Sequence, residues 1–397
     1  MPSYEHRGKN SYRLTVETEA GINQKRGREL KTVKVPEGLS PKKQKDWLDA
    51  EWHKFKAEVE AGAYIAPEKM VFSAFVEEWK TKHAKGLYAV KTEEMNEYLL
   101  DNLFLPHLGH FKLYDFKTMH IVSFMNKIPY PKFRKSKKKK PLAQSTMISL
   151  HRLLKNIFEV AVAWKVITSS PMDGLKYPKR KKTKANCYNK QEAQQLTVLL
   201  DKEPLAFKVI IVLAITTGLR RGEIAGLEWR HINLDKGTIT IEQQMVYTKK
   251  TGHTITDPKT QDANRLVSIP QLVVDLLKEL RKQSIREREK LGSEWKGDDR
   301  LHVFTTAIGS PYRATYISNR WIEFIKDSGL RYIKFHELRH TSASLLINSG
   351  VHSKVVSDRL GHSDIRITMN TYGHVFEEAE HAAAEVFDSM LRTKSSK

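Results

Sequence analysis

The segment PKRKKTK, Pro178 to Lys184, limits how this chain can fold, because five cations in seven residues cannot run through an apolar interior. An unpaired charge taken out of water costs several kcal/mol, so separate cores must close on either side of it. A second run, KFRKSKKKK (Lys132 to Lys140), lies within the preceding helical region as a further solvated basic segment. Between residues 130 and 185 there are 16 Lys or Arg against two acids, Glu159 and Asp173, and this stretch carries most of the formal net charge of +22. Clustered cations and a pI near 9.7 point to a polyanionic partner, since Lys and Arg gain affinity by neutralising phosphates.

With 397 residues and 40% hydrophobic content, the chain has room for two or three domains. The stretches SYRLTVETE (Ser11 to Glu19) and LKTVKVP (Leu30 to Pro36) alternate and are β-branched, as strands are. Ser40-Pro41 then opens a helix to about Glu60, with Trp47, Trp52, Phe55 and Val59 near one face. From Pro67 the pattern is helical: Phe72, Phe75, Val76 and Trp79 mark one helix, Tyr98 to Leu105 another, and Ser145 to about Ile167 a third. Beyond the second basic run, Asn189 is an N-cap and an apolar helix from Pro204 to Thr217 is stopped by Gly218. A β-rich insert follows, with GTITIEQQMVY (Gly237 to Tyr247) and RLVSIP (Arg265 to Pro270) flanking the turn DPKTQDAN. Helices resume at Val273 to about Leu291, Tyr316 to Ser328, His336 to Ser349 and Lys354 to Leu360.

A single cysteine, Cys187, excludes an intrachain disulfide and any Cys-based zinc site, and suits a reducing compartment. The apolar run Val209 to Ile215 is too short to span a bilayer, and MPSYEHRGKN lacks the apolar core of a signal peptide. A cytoplasmic protein without membrane partners is expected.

One pentapeptide, His336-Glu337-Leu338-Arg339-His340, fits H-E-x-x-H, in which two imidazoles one turn apart bind zinc and the glutamate is a base. The residues after His340, Thr341 to Leu345, lack the glycine and third histidine of the longer zincin pattern. Three other clusters share the same half of the chain: TGLRRGE (Thr217 to Glu223), DPKT (Asp257 to Thr260) and LGHSDIRITMNTYGHV (Leu360 to Val375).

Together and in this order, these clusters resemble the four sequence boxes of the tyrosine recombinase or integrase family. The resemblance implies a multidomain, mainly α fold with small β-sheets: an N-terminal three-stranded sheet plus helix (1–64) that binds arm-type DNA sites, a helical core-binding domain (67–177), a basic linker (178–186), a mixed α/β catalytic domain (187–374), and a C-terminal helix and tail (375–397) packing on a neighbouring protomer. It implies strand transfer without a cofactor or metal. Tyr372 would attack the scissile phosphate to form a 3′-phosphotyrosine, and a Holliday junction would carry the exchange. Arg220 and Arg339 would clamp the non-bridging oxygens, His362 would hydrogen-bond the phosphate, His336 would be the base for the tyrosine hydroxyl, and Lys259 would protonate the leaving 5′-oxygen. Glu223 would orient Arg220; Glu337 and His340 become bystanders.

The family's partners would be double-stranded DNA at core and arm sites, a homotetramer on DNA, an excisionase and a DNA-bending protein, in the nucleoid of a bacterium. DNA contacts are expected from Lys132, Arg134, Lys135, Lys137, Lys138, Lys139 and Lys140, and from Lys179, Arg180, Lys181 and Lys182. An N-terminal arm domain favours the integrase of a phage or transposon over a housekeeping recombinase or a type IB topoisomerase. A non-catalytic regulator on the same fold would have lost a boxed residue, and all are present. The zinc protease reading leaves Arg220, Tyr372 and the basic runs unexplained.

Overall fold

The computed structural model describes residues 2–18, 27–60, 70–128, 142–176, 186–257, 264–372 and 391. The chain divides into two compact units, Met1–Lys181 and Lys182–Lys397. Lys259, both basic runs and nearly all of the 375–397 segment lie outside the described residues.

The first unit begins with an antiparallel sheet of β1 (Ser3–Gly8), β2 (Ser11–Thr18) and β3 (Gly27–Lys34), followed by helix α1 (Pro41–Glu60). In β2, alternation sends Leu14 and Val16 into a core with Leu48, Trp52 and Phe55 of α1. Trp52 Nε1 also donates to the carbonyl of Thr15 at 2.8 Å, fixing helix to sheet. The first strand is the one that the alternation pattern did not single out.

A separate core holds α2 (Phe72–Trp79), α3 (Val90–Leu99), α4 (Leu105–Leu108), α5 (Thr118–Lys127) and α6 (Gln144–Ala163). Trp79 Nε1 and Tyr88 Oη both donate to Asn156 Oδ1, at 3.2 and 3.1 Å, so one amide satisfies the polar tips of a buried and a half-buried ring. The helix expected from Tyr98 starts earlier, at Val90, and passes through a wide π turn, Leu100–Phe104, into α4. That turn lets Pro106 sit in the first turn of α4, where its missing N–H costs little. Helix α6 stops at Ala163, short of the expected Ile167, because Lys165 takes a left-handed φ of 59° and Val166 N closes on Ala161 O at 2.9 Å.

The second unit comprises α7 (Lys190–Leu199), α8 (Leu205–Thr217), α9 (Arg221–Ala225), β4 (Ile232–Asn233), β5 (Thr238–Ile241), β6 (Gln244–Thr248), β7 (Gly252–Thr256), β8 (Arg265–Ser268), α10 (Gln271–Leu291), α11 (Ala314–Ser328), α12 (Glu337–Asn348) and α13 (Ser353–Leu360); residues 365–372 form a further helix, α14. Asn189 caps α7 reciprocally with Glu192. Helix α8 is apolar on all sides because it is the central helix of the core, with Val209 to Ala214 all buried.

The expected strand Gly237 to Tyr247 is broken. Gln243 turns inward, donating to Gly226 O at 2.6 Å and Glu228 Oε1 at 2.7 Å, so β5 pairs with β4 and β8 while β6 forms a separate hairpin with β7. The sequence shows alternation on both sides of Gln243, but not the buried partners that pull this side chain in.

Gly218 ends α8 with φ 67° and does so under a tight constraint: a Cβ there would lie 2.4 Å from Leu360 Cδ2. Gly218→Ala is therefore expected to combine backbone strain with overpacking and to cost about 2–4 kcal/mol, read as a lower midpoint in denaturant unfolding. A midpoint equal to that of the wild type would contradict this packing.

A candidate DNA-cleavage site

Four segments meet at the end of α8. Arg220 is the N-cap residue of α9; its backbone N–H and Nη1 donate to the two oxygens of Glu223 at 2.8 and 2.7 Å, and its Nη2 donates to Gly361 O at 3.0 Å. Arg339, in the first turn of α12, donates from Nη1 to Gly218 O at 2.6 Å. Its Nη2 is buried with no hydrogen-bond partner, in a residue only 3% exposed. A buried guanidinium with an unused donor is costly in isolation, and an anion is the group that would complete it. Burial, with Arg220 adding to it, pulls the Arg339 pKa down to about 9, which leaves it charged at neutral pH.

The histidines stay neutral. Crowding by the surrounding protein, then His340, Arg339, Arg220 and Arg221, push His336 down to about 4, although its outer edge meets solvent. Burial, then Arg339 and Arg220, push His362 to about 3, and its Nδ1 lies 2.8 Å from Thr368 Oγ1. Neutral rings can accept a proton or share one with a phosphate at pH 7. These depressed values make the folded state bind protons less readily than the unfolded chain, whose histidines titrate near 6.5. The stability they contribute is complete above about pH 6.5 and is lost as pH falls through the folded values. Thermal midpoints are accordingly expected to drop between pH 7.5 and pH 5, by less in His362→Asn than in the wild type; equal drops would rule out the contribution of His362.

Tyr372 is 1% exposed and packs in α14 against Ala343, Ile347, Val356 and Leu360. Its hydroxyl lies 2.7 Å from Nδ1 of His340, and burial raises its pKa above the ordinary value. His340 is pulled below its ordinary value by burial and by Arg339. The ring treated as a bystander in the sequence therefore touches the tyrosine, while His336 stacks edge-on to His340 with centroids 5.5 Å apart. A histidine directly following Arg339 in sequence was the available signal, and periodicity alone gave it no role.

Arg265, which belongs to none of the four sequence clusters, also enters the site. Its Nη2 and Nη1 reach Glu223 at 2.8 and 3.3 Å, and its Nε donates to Arg359 O at 2.8 Å. Burial alone would raise the Glu223 pKa, but Arg265 and then Arg220 hold its carboxyl below the usual range. The structure thus brings Arg220, Glu223, His336, Arg339, His362 and Tyr372 into one region of the second unit, and Lys259 lies outside the described residues. Among the described residues no three His, Cys, Asp or Glu side chains are grouped to hold a metal ion, and no helix is long and apolar enough to cross a membrane.

Two arginines and three histidines thus lie around a buried guanidinium donor, beside a tyrosine, on a mainly helical fold, an arrangement able to receive a phosphate. The model of the phage integrase family matches residues 187–379. A tyrosine recombinase XerC-like protein of Caldanaerobacter subterraneus subsp. tengcongensis is 31% identical over 310 residues, covering 72% of this chain and 78% of that protein. The ICEBs1 integrase of Bacillus subtilis is 28% identical over 260 residues, covering 65% and 69%. The fold matches that of the Tn1549 transposon integrase in complex with circular intermediate DNA, with a TM-score of 0.61 at 21% identity over 79% of this chain and 98% of that one. It also matches a lambda integrase dimer bound to a COC′ core site, with a TM-score of 0.54 at 17% identity over 94% of each chain. The chain belongs to the tyrosine recombinase family, as a site-specific recombinase of the integrase type.

Proposed function

We propose that this recombinase integrates and excises a mobile DNA element through a 3′-phosphotyrosine formed by Tyr372, with strand exchange through a Holliday junction. The observation that carries the reading is the buried, unpartnered Nη2 of Arg339, fixed beside Arg220 and neutral His362. Arg339 and Arg220 clamp the non-bridging oxygens and oppose the charge that grows in the transition state. His362 donates to the phosphate, and Lys259 gives its proton to the leaving 5′-oxygen. His336 takes the tyrosine proton; with His340 already on the hydroxyl, that proton travels by way of the His340 ring or after Tyr372 has shifted. Because the phosphoester bond is conserved in the covalent link, no cofactor is required.

Three proposed domains serve this chemistry: 1–64 for arm sites, 67–177 for core sites and 187–374 for catalysis, with 178–186 as the linker. The exposed face of the first sheet supports the arm role, since Arg13, Arg28, Thr32 and Lys34 project from the side opposite Leu14 and Val16. The runs Lys132–Lys140 and Lys179–Lys182 follow the phosphate backbone electrostatically. The names of relatives support the biological role: the ICEBs1 integrase is among them, and one matching fold was solved on circular intermediate DNA. Assembly as a tetramer on DNA, with residues 375–397 seated on a neighbouring protomer, and help from an excisionase and a bending protein complete the reading, in the bacterial cytoplasm.

The test is a nicked suicide duplex made from the joined ends of the encoding element. Incubation in EDTA is expected to give a protein adduct on the 3′ side of the break and a free 5′-hydroxyl. Cleavage without an adduct, or only with added metal, would overturn the mechanism.

A further inference from the structure

Glu223 presents a charge problem to the site. If Arg220 were its single cationic partner, the carboxylate would cancel the charge that a scissile phosphate requires. Arg265 alters the balance: its fork meets both carboxylate oxygens, so two guanidiniums share one carboxylate and the trio is left with a net positive charge. Exposure separates the two arginines. The Arg265 side chain is 6% exposed and Glu223 2%, whereas Arg220 keeps 35% of its surface open. The inner arginine is thus committed to the carboxylate, and the outer one faces the solvent from which DNA arrives.

Arg265 also joins segments that lie far apart in the sequence. It starts β8, donates to Arg359 O at the end of α13, and lies against Gly361, where a Cβ would come within 2.9 Å of its Nη1. Gly361 O in turn accepts from Arg220 Nη2, and His362 follows in the chain. We propose that Arg265 is a positioning residue for strand cleavage, one that neutralises and fixes Glu223 so that Arg220 is held in a single orientation with its charge available to the phosphate. This rests on Arg220 being a phosphate clamp.

The experiment measures single-turnover cleavage of the nicked suicide duplex, its affinity for the protein, and the thermal melt of each variant. Arg265→Gln is expected to slow cleavage about 10²-fold, as losing an oxyanion donor does, with duplex affinity within about threefold of wild type. Adding Glu223→Gln removes the charge that then cancels Arg220 and is expected to restore roughly tenfold of the loss. A double variant no faster than Arg265→Gln, or an Arg265→Gln enzyme with wild-type cleavage, overturns the proposal, because a merely structural arginine would not be rescued by removing its partner's charge. If Arg265→Gln does not melt cooperatively, Arg265→Lys supplies the answer: cleavage within about tenfold of wild type supports charge uptake, and a loss matching that of Arg220→Ala overturns it. Arg220→Ala separates the two readings. Unchanged cleavage in Arg220→Ala sinks the clamp itself, whereas a loss there with wild-type rates in Arg265→Gln sinks only the role of Arg265.

Discussion

Tyr372→Phe is expected to abolish the covalent DNA adduct, lowering strand cleavage by about 10⁴-fold or more, as removal of a nucleophile does. The substitution is clean for a structural reason. The ring remains packed against Ala343, Ile347, Val356 and Leu360, and only the hydroxyl that meets His340 Nδ1 at 2.7 Å is lost. Removing one neutral hydrogen bond costs roughly 0.5–1.5 kcal/mol, so the protein should remain folded and bind the duplex as before. The adduct is read on a denaturing gel after incubation with the nicked duplex. An adduct that survives would assign the nucleophile to another residue.

Arg339 should be nearly as intolerant. Arg339→Ala removes both the donor to Gly218 O and the free Nη2, and about 10²–10³-fold in cleavage rate is expected to go with them. Arg339→Lys keeps the charge but not the fork, so it cannot hold Gly218 O and a phosphate oxygen with fixed geometry, and it should recover little. The informative comparison is cleavage against DNA affinity: a clamp made in the transition state lowers the first far more than the second. Cleavage by Arg339→Ala within about threefold of wild type would remove this residue from the chemistry.

Local rules made much of this fold readable. Asn189 with Glu192, Gly218 after an apolar helix, and the periodic stripe of α6 each follow from caps and spacing, and the structure places all three as expected. The departures come from longer-range packing. Lys165 in a left-handed conformation ends α6 where no glycine announces it, and Gln243 splits a strand because Glu228 and the carbonyl of Gly226 lie behind it. The site shows the same division. Arg220, Glu223, His336, Arg339, His362 and Tyr372 stood in recognisable clusters, whereas Arg265 read as one more residue of an alternating strand and His340 as the far side of a zinc motif. Their partners, Glu223 and Tyr372, are 42 and 32 residues away, and no pattern of spacing reports such a pairing.

The contacts among Gly218, Arg220, Arg339 and Gly361 carry a consequence for the order in which the protein is made. The two guanidiniums are oriented by backbone carbonyls that lie more than a hundred residues from them in the chain: Arg339 by Gly218, Arg220 by Gly361. Neither local helix formation nor any short segment can build this arrangement, and the tyrosine comes later still. A chain emerging from the ribosome completes the sequence of its first unit well before that of this site, and translation products ending ahead of residue 361 lack both the carbonyl that holds Arg220 and the proposed nucleophile, Tyr372. The proposed cleavage site is thus complete only once the last part of the second unit has been made, a form of timing written into the connectivity of the chain.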